Sequence, residues 1–136
     1  MGPRPPVTRS PVYLDASAAV KLVVEEVESA ALATWLLRAS DWVSSEILDV
    51  EVRCAVQRGA PTLSPVDDLL RQVELLTFSP AVRRRAGQPF APRQRALDAI
   101  HLATALSIDA PFTLVSYDER QLAAADALGL QTASPA

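Results

Sequence analysis

The 136-residue sequence predicts an α/β fold, with a five-stranded, mostly parallel sheet flanked by helices. Three observations point there. Short apolar runs alternate with helical patterns along the chain, the order that builds βαβ units with right-handed crossovers. Hydrophobic residues make up 49% but aromatics only 5%, so the core must be Leu, Val and Ala, as in buried parallel sheets. No repeat or low-complexity tract follows the first ten residues, and one domain over 11–136 accounts for the rest.

Residues 1–10 are rich in Pro and Arg and are expected to form an extended, poorly ordered arm. "VYL" (12–14) reads as a buried strand, and "SAAVKLVV" opens a helix with Ser17 as its cap. "ESAALATWLLRAS" continues helical, with Ala31, Trp35 and Leu36 or Ala39 on one face. "DWVSS" is a second strand, and "SEILDVEVRCAVQRG" a helix closed by Gly59. "SPVDDLLRQV" starts a helix with Pro65 in its first turn, "ELLTF" is a third strand, and "SPAVRRRAG" is a Pro-started, Gly-ended helix. "GQPFAPRQR" is a loop, because two prolines and a glycine prevent regular pairing. "ALDAIHLATALSI" is the most apolar helix and is expected to be central. "FTLVSY", "DERQLAAADALG" and "LQTAS" complete the pattern as strand, helix and strand.

Composition removes several classes of function. The single Cys54 excludes an internal disulfide, and no Cys/His spacing suits zinc. The N-terminus has arginines but no apolar segment of a signal peptide, and no run approaches membrane-spanning length. A soluble cytoplasmic protein is the expectation. No Gly-rich phosphate loop is present, which sets aside P-loop NTPases, and the one histidine leaves no room for a serine or cysteine triad.

In parallel sheets the ligand site lies outside the carboxyl ends of the strands. Asp15 and Asp118 each follow a predicted strand there; each could instead cap the helix that follows it. Glu51 shares a helix face with Ile47, Cys54 and Ala55, so a carboxylate interrupts an apolar stripe and needs a cationic partner, unless the helix turns it to solvent as with Glu46 and Asp49. Asp98 opens the apolar helix on the face of Leu102 and Ala105; a favourable helix dipole is the simpler account of it. His101, one turn on, reads as a packed, hydrogen-bonded side chain rather than a ligand, and Cys54 as core.

Four carboxylates on one rim repel each other unless divalent cations neutralise them. An all-oxygen set suits Mg²⁺ or Mn²⁺, the cations used on phosphate substrates. Net charge is −3, yet from Leu75 to Leu97 there is no acid, while Arg83, Arg84, Arg85, Arg93 and Arg95 fall inside. That run is either a solvated helix end and loop or a phosphate-binding rim. Trp35 and Trp42 read as core or interface rather than base platforms.

"YLDASAAVKL", "SSEILDVEV", "ALDAIHLATAL" and "VSYDERQLAAADALGL", in this order and spacing, resemble PIN domains, most closely the VapC toxins of bacterial toxin–antitoxin pairs. The resemblance runs from about Val12 to the C-terminus. It implies a Mg²⁺- or Mn²⁺-dependent endoribonuclease whose four acids match Asp15, Glu51, Asp98 and Asp118. Ser17 matches a small hydroxyl residue beside the first acid, a helper for water. It further implies a homodimer and a VapB-type antitoxin that wraps the toxin and blocks its site. Two departures stand out. The family often places Arg three residues after the helix-borne acid, where this chain has Cys54, with Arg53 one place earlier; and its "T-x-D" is "S-Y-D" here, which keeps a hydroxyl at Ser116. The rival from another class is a PIN domain that works by binding alone, as a scaffold or repressor-complex subunit. A phosphatase of the haloacid type fails because Ser17 stands where a second Asp is needed, and a phospho-receiver fails because the only lysine is Lys21.

Overall fold

The computed structural model describes residues 9–57 and 64–136. Its core is a five-stranded sheet of β1 (Ser10–Leu14), β2 (Ala39–Ser45), β3 (Val73–Leu76), β4 (Thr113–Val115) and β5 (Gln131–Ala133). All four pairings are parallel, in the spatial order β3-β2-β1-β4-β5. Every crossover is helical: α1 (Ala16–Val20) and α2 (Ser29–Leu36) follow β1, α3 (Ile47–Val56) and α4 (Ser64–Gln72) follow β2, α5 (Pro80–Ala86) and α6 (Ala96–Leu106) follow β3, and α7 (Glu119–Ala127) follows β4. No helix among the described residues is long and apolar enough to cross a membrane.

Alternation along β1 splits the core into two layers. Val12 and Leu14 face a cluster with Leu32, Leu36, Leu48, Val52, Val56, Val66 and Leu69, which seats α1 to α4 on one side of the sheet. Tyr13 points the other way, into Leu102, Ala105, Leu114, Ala124 and Ala125, which seats α6 and α7. Trp35 and Trp42 are half-buried against the first cluster, as core residues.

Some boundaries move. β1 begins at Ser10, two residues before the predicted strand, and most of the expected arm lies outside the described residues, as does Gly59. β2 takes Ala39 and Ser40, which helical periodicity had claimed; pairing with Ser10 of β1 outweighs their helix propensity. The buried face of α2 is therefore Leu32 and Leu36, with Ala31 and Trp35 at its edge.

The strand order sets the site. β2 lies on one side of β1 and β4 on the other, so the chain reverses its direction of travel across the sheet between β1 and β4. A crevice opens there above the strand ends. Leu14 pairs with Val115, so Asp15 and Ser116 leave the sheet side by side; the Asp15 N–H donates to the Val115 carbonyl at 3.2 Å.

Candidate active site

Asp15 is almost completely buried and ends β1 as the cap of α1. Its Oδ1 accepts from the Ser17 hydroxyl at 2.6 Å and the Ala18 N–H at 3.0 Å. Its Oδ2 lies 2.7 Å from the Ser116 hydroxyl. Burial pushes its pKa above the ordinary carboxylate range, against the pull of these hydrogen bonds. Ser116 also lies 3.0 Å from Gln121 Oε1 and has one proton for two acceptors.

Ser116 is the hub of this half of the site. Its Oγ also accepts from the Asp118 N–H at 3.1 Å, and Asp118 in turn caps α7 by accepting from the N–H groups of Arg120 and Gln121. Capping thus accounts for the positions of Asp15 and Asp118, without excluding a further role. Ser17 receives the Tyr117 N–H at 2.9 Å, so both strand-end turns lock onto one another through hydroxyls. Gln121 is fully buried and was missed in the sequence; "DERQ" carries an acid cap with Gln three places on, the signal of a capping box. Here Gln121 turns to Ser116 instead of to the cap.

Asp98 is half-buried in the first turn of α6, above the buried Leu102 and Ala105. Burial raises its pKa most, followed by the charges of Asp118 and Asp15; Glu51 adds to the rise and His101 opposes it. These acids therefore feel one another across the crevice. Among the described residues, none of Asp15, Asp98 and Asp118 has a Lys or Arg partner, because the ion pairs lie elsewhere: Lys21 with Glu26 and Glu28, Arg53 with Asp49 and Asp67, Arg71 with Asp68.

The stripe expected through Glu51 is shifted by one position. Leu48, Val52 and Val56 form the buried face of α3, and Glu51 stands at its edge beside Ile47 and Ala55. Cys54 is exposed rather than core, because it falls outside that stripe. Glu51 lines a cleft of about 490 Å³ together with Ser17, Lys21, Cys54, Leu97 and Tyr117. Its partner is a histidine, not an arginine: Arg53 serves Asp49 and Asp67, while His101 Nε2 lies 2.6 Å from Glu51 Oε1. His101 is packed and hydrogen-bonded, and its Nδ1 lies 2.7 Å from the Tyr13 hydroxyl.

The arginines divide. Arg83 and Arg84 are exposed on α5, whereas Arg85 stacks on Phe90, its guanidinium carbon 4.4 Å from the ring centre. Arg93 and Arg95 are exposed in the α5–α6 loop. That loop is pinned by Gln94, whose Nε2 donates to the Pro92 and Arg120 carbonyls, holding it against the first turn of α7 beside Asp118.

The oxygen-only rim at the crevice, short of positive charge, has the donor chemistry for a hard divalent cation. As the side chains stand, no three of the described His, Cys, Asp and Glu residues are close enough to hold one between them.

The parallel sheet, with acids beyond its strand ends at the switch point, defines an α/β protein of the parallel-sheet class. The PIN domain family model matches residues 12–127. Ribonuclease VapC35 of Mycobacterium tuberculosis is 40% identical over 130 residues, covering 91% of this chain and 96% of that one. Ribonuclease VapC46 of the same species is 39% identical over 127 residues, covering 91% and 97%. The fold matches VapBC2 from Rickettsia felis bound to a DNA fragment from its promoter, with a TM-score of 0.69 at 15% identity over 93% of this chain and 99% of that one. It also matches M. tuberculosis VapC20, a Sarcin-Ricin loop cleaving toxin, with a TM-score of 0.65 at 14% identity over 83% and 94%. The chain belongs to the PIN domain family, among its VapC-type members.

Proposed function

We propose that this protein is an endoribonuclease, the toxin of a toxin–antitoxin pair, and that it hydrolyses RNA phosphodiester bonds with Mg²⁺ or Mn²⁺ at Asp15, Glu51, Asp98 and Asp118. The observation that carries this reading is the set of acids at the β1/β4 crevice that have no Lys or Arg partner among the described residues, in a chain 40% identical to a protein named a ribonuclease. A divalent cation there supplies Lewis acidity toward a phosphoryl oxygen and a more acidic water.

The chain's own residues set the stage. Ser17 and Ser116 orient Asp15 through both carboxylate oxygens, and the Asp118 cap holds the turn that faces it. Ser17 lines the cleft, donates its hydroxyl proton to Asp15 and accepts from the Tyr117 N–H, which leaves one lone pair to orient a water beside that acid. Arg93 and Arg95, exposed on the loop that Gln94 pins near Asp118, would take the backbone phosphates of single-stranded or loop RNA. Arg83 and Arg84 extend that path, and Arg85 supports it from Phe90. A VapB-type antitoxin is the expected inhibitor and a homodimer the expected assembly, as the family resemblance implies.

A second reading, a PIN domain that works by binding alone in a repressor complex, draws on the spacing of the acids, no three of which meet among the described residues. Total cellular RNA incubated with antitoxin-free protein in Mg²⁺, Mn²⁺ or EDTA separates the two. Discrete fragments that need metal and vanish in Asp98→Ala support the nuclease. Intact RNA in every lane, with Mn²⁺ bound, supports the binding role.

A further inference from the structure

Glu51 is held in a different manner from the other three acids. It sits mid-helix on α3, in one helical layer, with no turn or cap to orient it. Its contact, His101, belongs to α6, in the other layer, and Tyr13 of β1 bonds the far side of the imidazole. Tyr13 is fully buried and His101 is 1% exposed. The ring planes are nearly perpendicular, at 78°, with centroids 5.7 Å apart, so the imidazole is fixed by packing as well as by its two bonds.

The protons follow from the partners. A carboxylate only accepts, so His101 Nε2 must carry the proton that faces Glu51. Burial pushes the Tyr13 hydroxyl far above its usual range, so it stays protonated and can donate to Nδ1. The line from Tyr13 through His101 to Glu51 then has a donor and an acceptor at each link. Only Glu51 Oε1 is used; Oε2 has no hydrogen bond among the described residues.

We propose that His101, backed by Tyr13, is a positioning residue that holds Glu51 at the edge of the cleft with one carboxylate oxygen committed and the other left for a divalent cation. This rests on the four-carboxylate reading above. Arg53, one place before the position where the family often has Arg, does not serve Glu51, since it is engaged by Asp49 and Asp67. Partners that orient a ligating carboxylate are worth about 10–100-fold in metal affinity.

The test is Mn²⁺ binding to the RNA-free full-length protein, followed by the free-Mn²⁺ electron paramagnetic resonance signal, with thermal unfolding recorded alongside. His101→Leu is expected to weaken Mn²⁺ binding by about 10–100-fold. His101→Gln, which keeps a donor, is expected to recover most of it, and Tyr13→Phe to fall between. Should His101→Leu fail to fold, the Gln and Phe variants carry the comparison. Variants that lose stability but bind Mn²⁺ as the wild type does, while Glu51→Gln binds less, overturn the positioning role and leave the metal site intact. Wild type and Asp98→Asn that both fail to bind Mn²⁺ overturn the four-carboxylate reading, and this inference with it.

Discussion

The two halves of the crevice fix their acids by opposite means. At the β1/β4 ends, Asp15 and Asp118 are held chiefly by their own turns, through N–H groups of the helices they cap and, for Asp15, the Ser17 hydroxyl, with Ser116 reaching Asp15 from the neighbouring strand end. The α3/α6 half has no such local device. Glu51 is oriented by His101, 50 residues away, itself braced by Tyr13, 88 residues from it. A strand-to-helix turn presents unpaired N–H groups that a carboxylate can satisfy. A mid-helix carboxylate finds every nearby N–H already taken, so only tertiary contacts can aim it. The caps of the first half can form within their own chain segments, and only its serine contacts need β1 and β4 paired; the second half forms only when both helical layers have packed.

The largest test of this contrast removes an acid from the local half. Asp15→Asn is expected to lower RNA cleavage by more than about 100-fold, beyond what loss of an outer partner costs, while preserving both caps and fold. Cleavage rates and circular dichroism check both parts. Next comes the hub. Ser116→Ala leaves buried Asp15 and Gln121 short of a partner, and is expected to cost about 1–3 kcal/mol in urea unfolding with cleavage reduced.

Arg93→Ala or Arg95→Ala acts through binding rather than chemistry. Removing either arginine from its phosphate should flatten the log–log salt dependence of RNA binding by about 0.7, with little change in rate at saturating RNA. Ionisation gives a smaller, signed effect. The raised pKa of Asp98 means that the fold favours its protonated form more than the unfolded chain does. That contribution is full below the ordinary carboxylate range and is lost as pH rises through the folded value. Asp98→Asn should therefore melt a few degrees above wild type at neutral pH in EDTA, the curves converging as pH falls toward about 4. The smallest effect expected is that of Arg53→Ala. Its partners are Asp49 and Asp67, so cleavage should stay within about twofold of wild type. A large loss would mean that Glu51 depends on this arginine after all.

Sequence reasoning went furthest where structure is local. The alternation of "VYL", "FTLVSY" and the helical runs sufficed for a parallel α/β sheet, and two strand-terminal aspartates could be placed at its rim from position alone. It was weaker where two periodicities competed. On α3 a one-position rotation moved Cys54 into solvent and Glu51 to the edge of the buried stripe, because 3.6-residue periodicity cannot say which of two adjacent faces the sheet will cover. At Ala39 and Ser40, helix propensity lost to strand pairing with β1.

By itself, then, the sequence determined the fold class, the family, and four candidate acids with the arginine run that accompanies them. Each of these is written in short-range patterns of burial, capping and charge. Only the tertiary structure decided which partner each acid has: serines for Asp15, mutual repulsion for Asp98, and a buried histidine and tyrosine for Glu51. Ser116 is 101 residues from Asp15, His101 is 50 from Glu51, and Tyr13 is 88 from His101. Contacts over such distances depend on how two helical layers settle on one sheet, and no local preference encodes that.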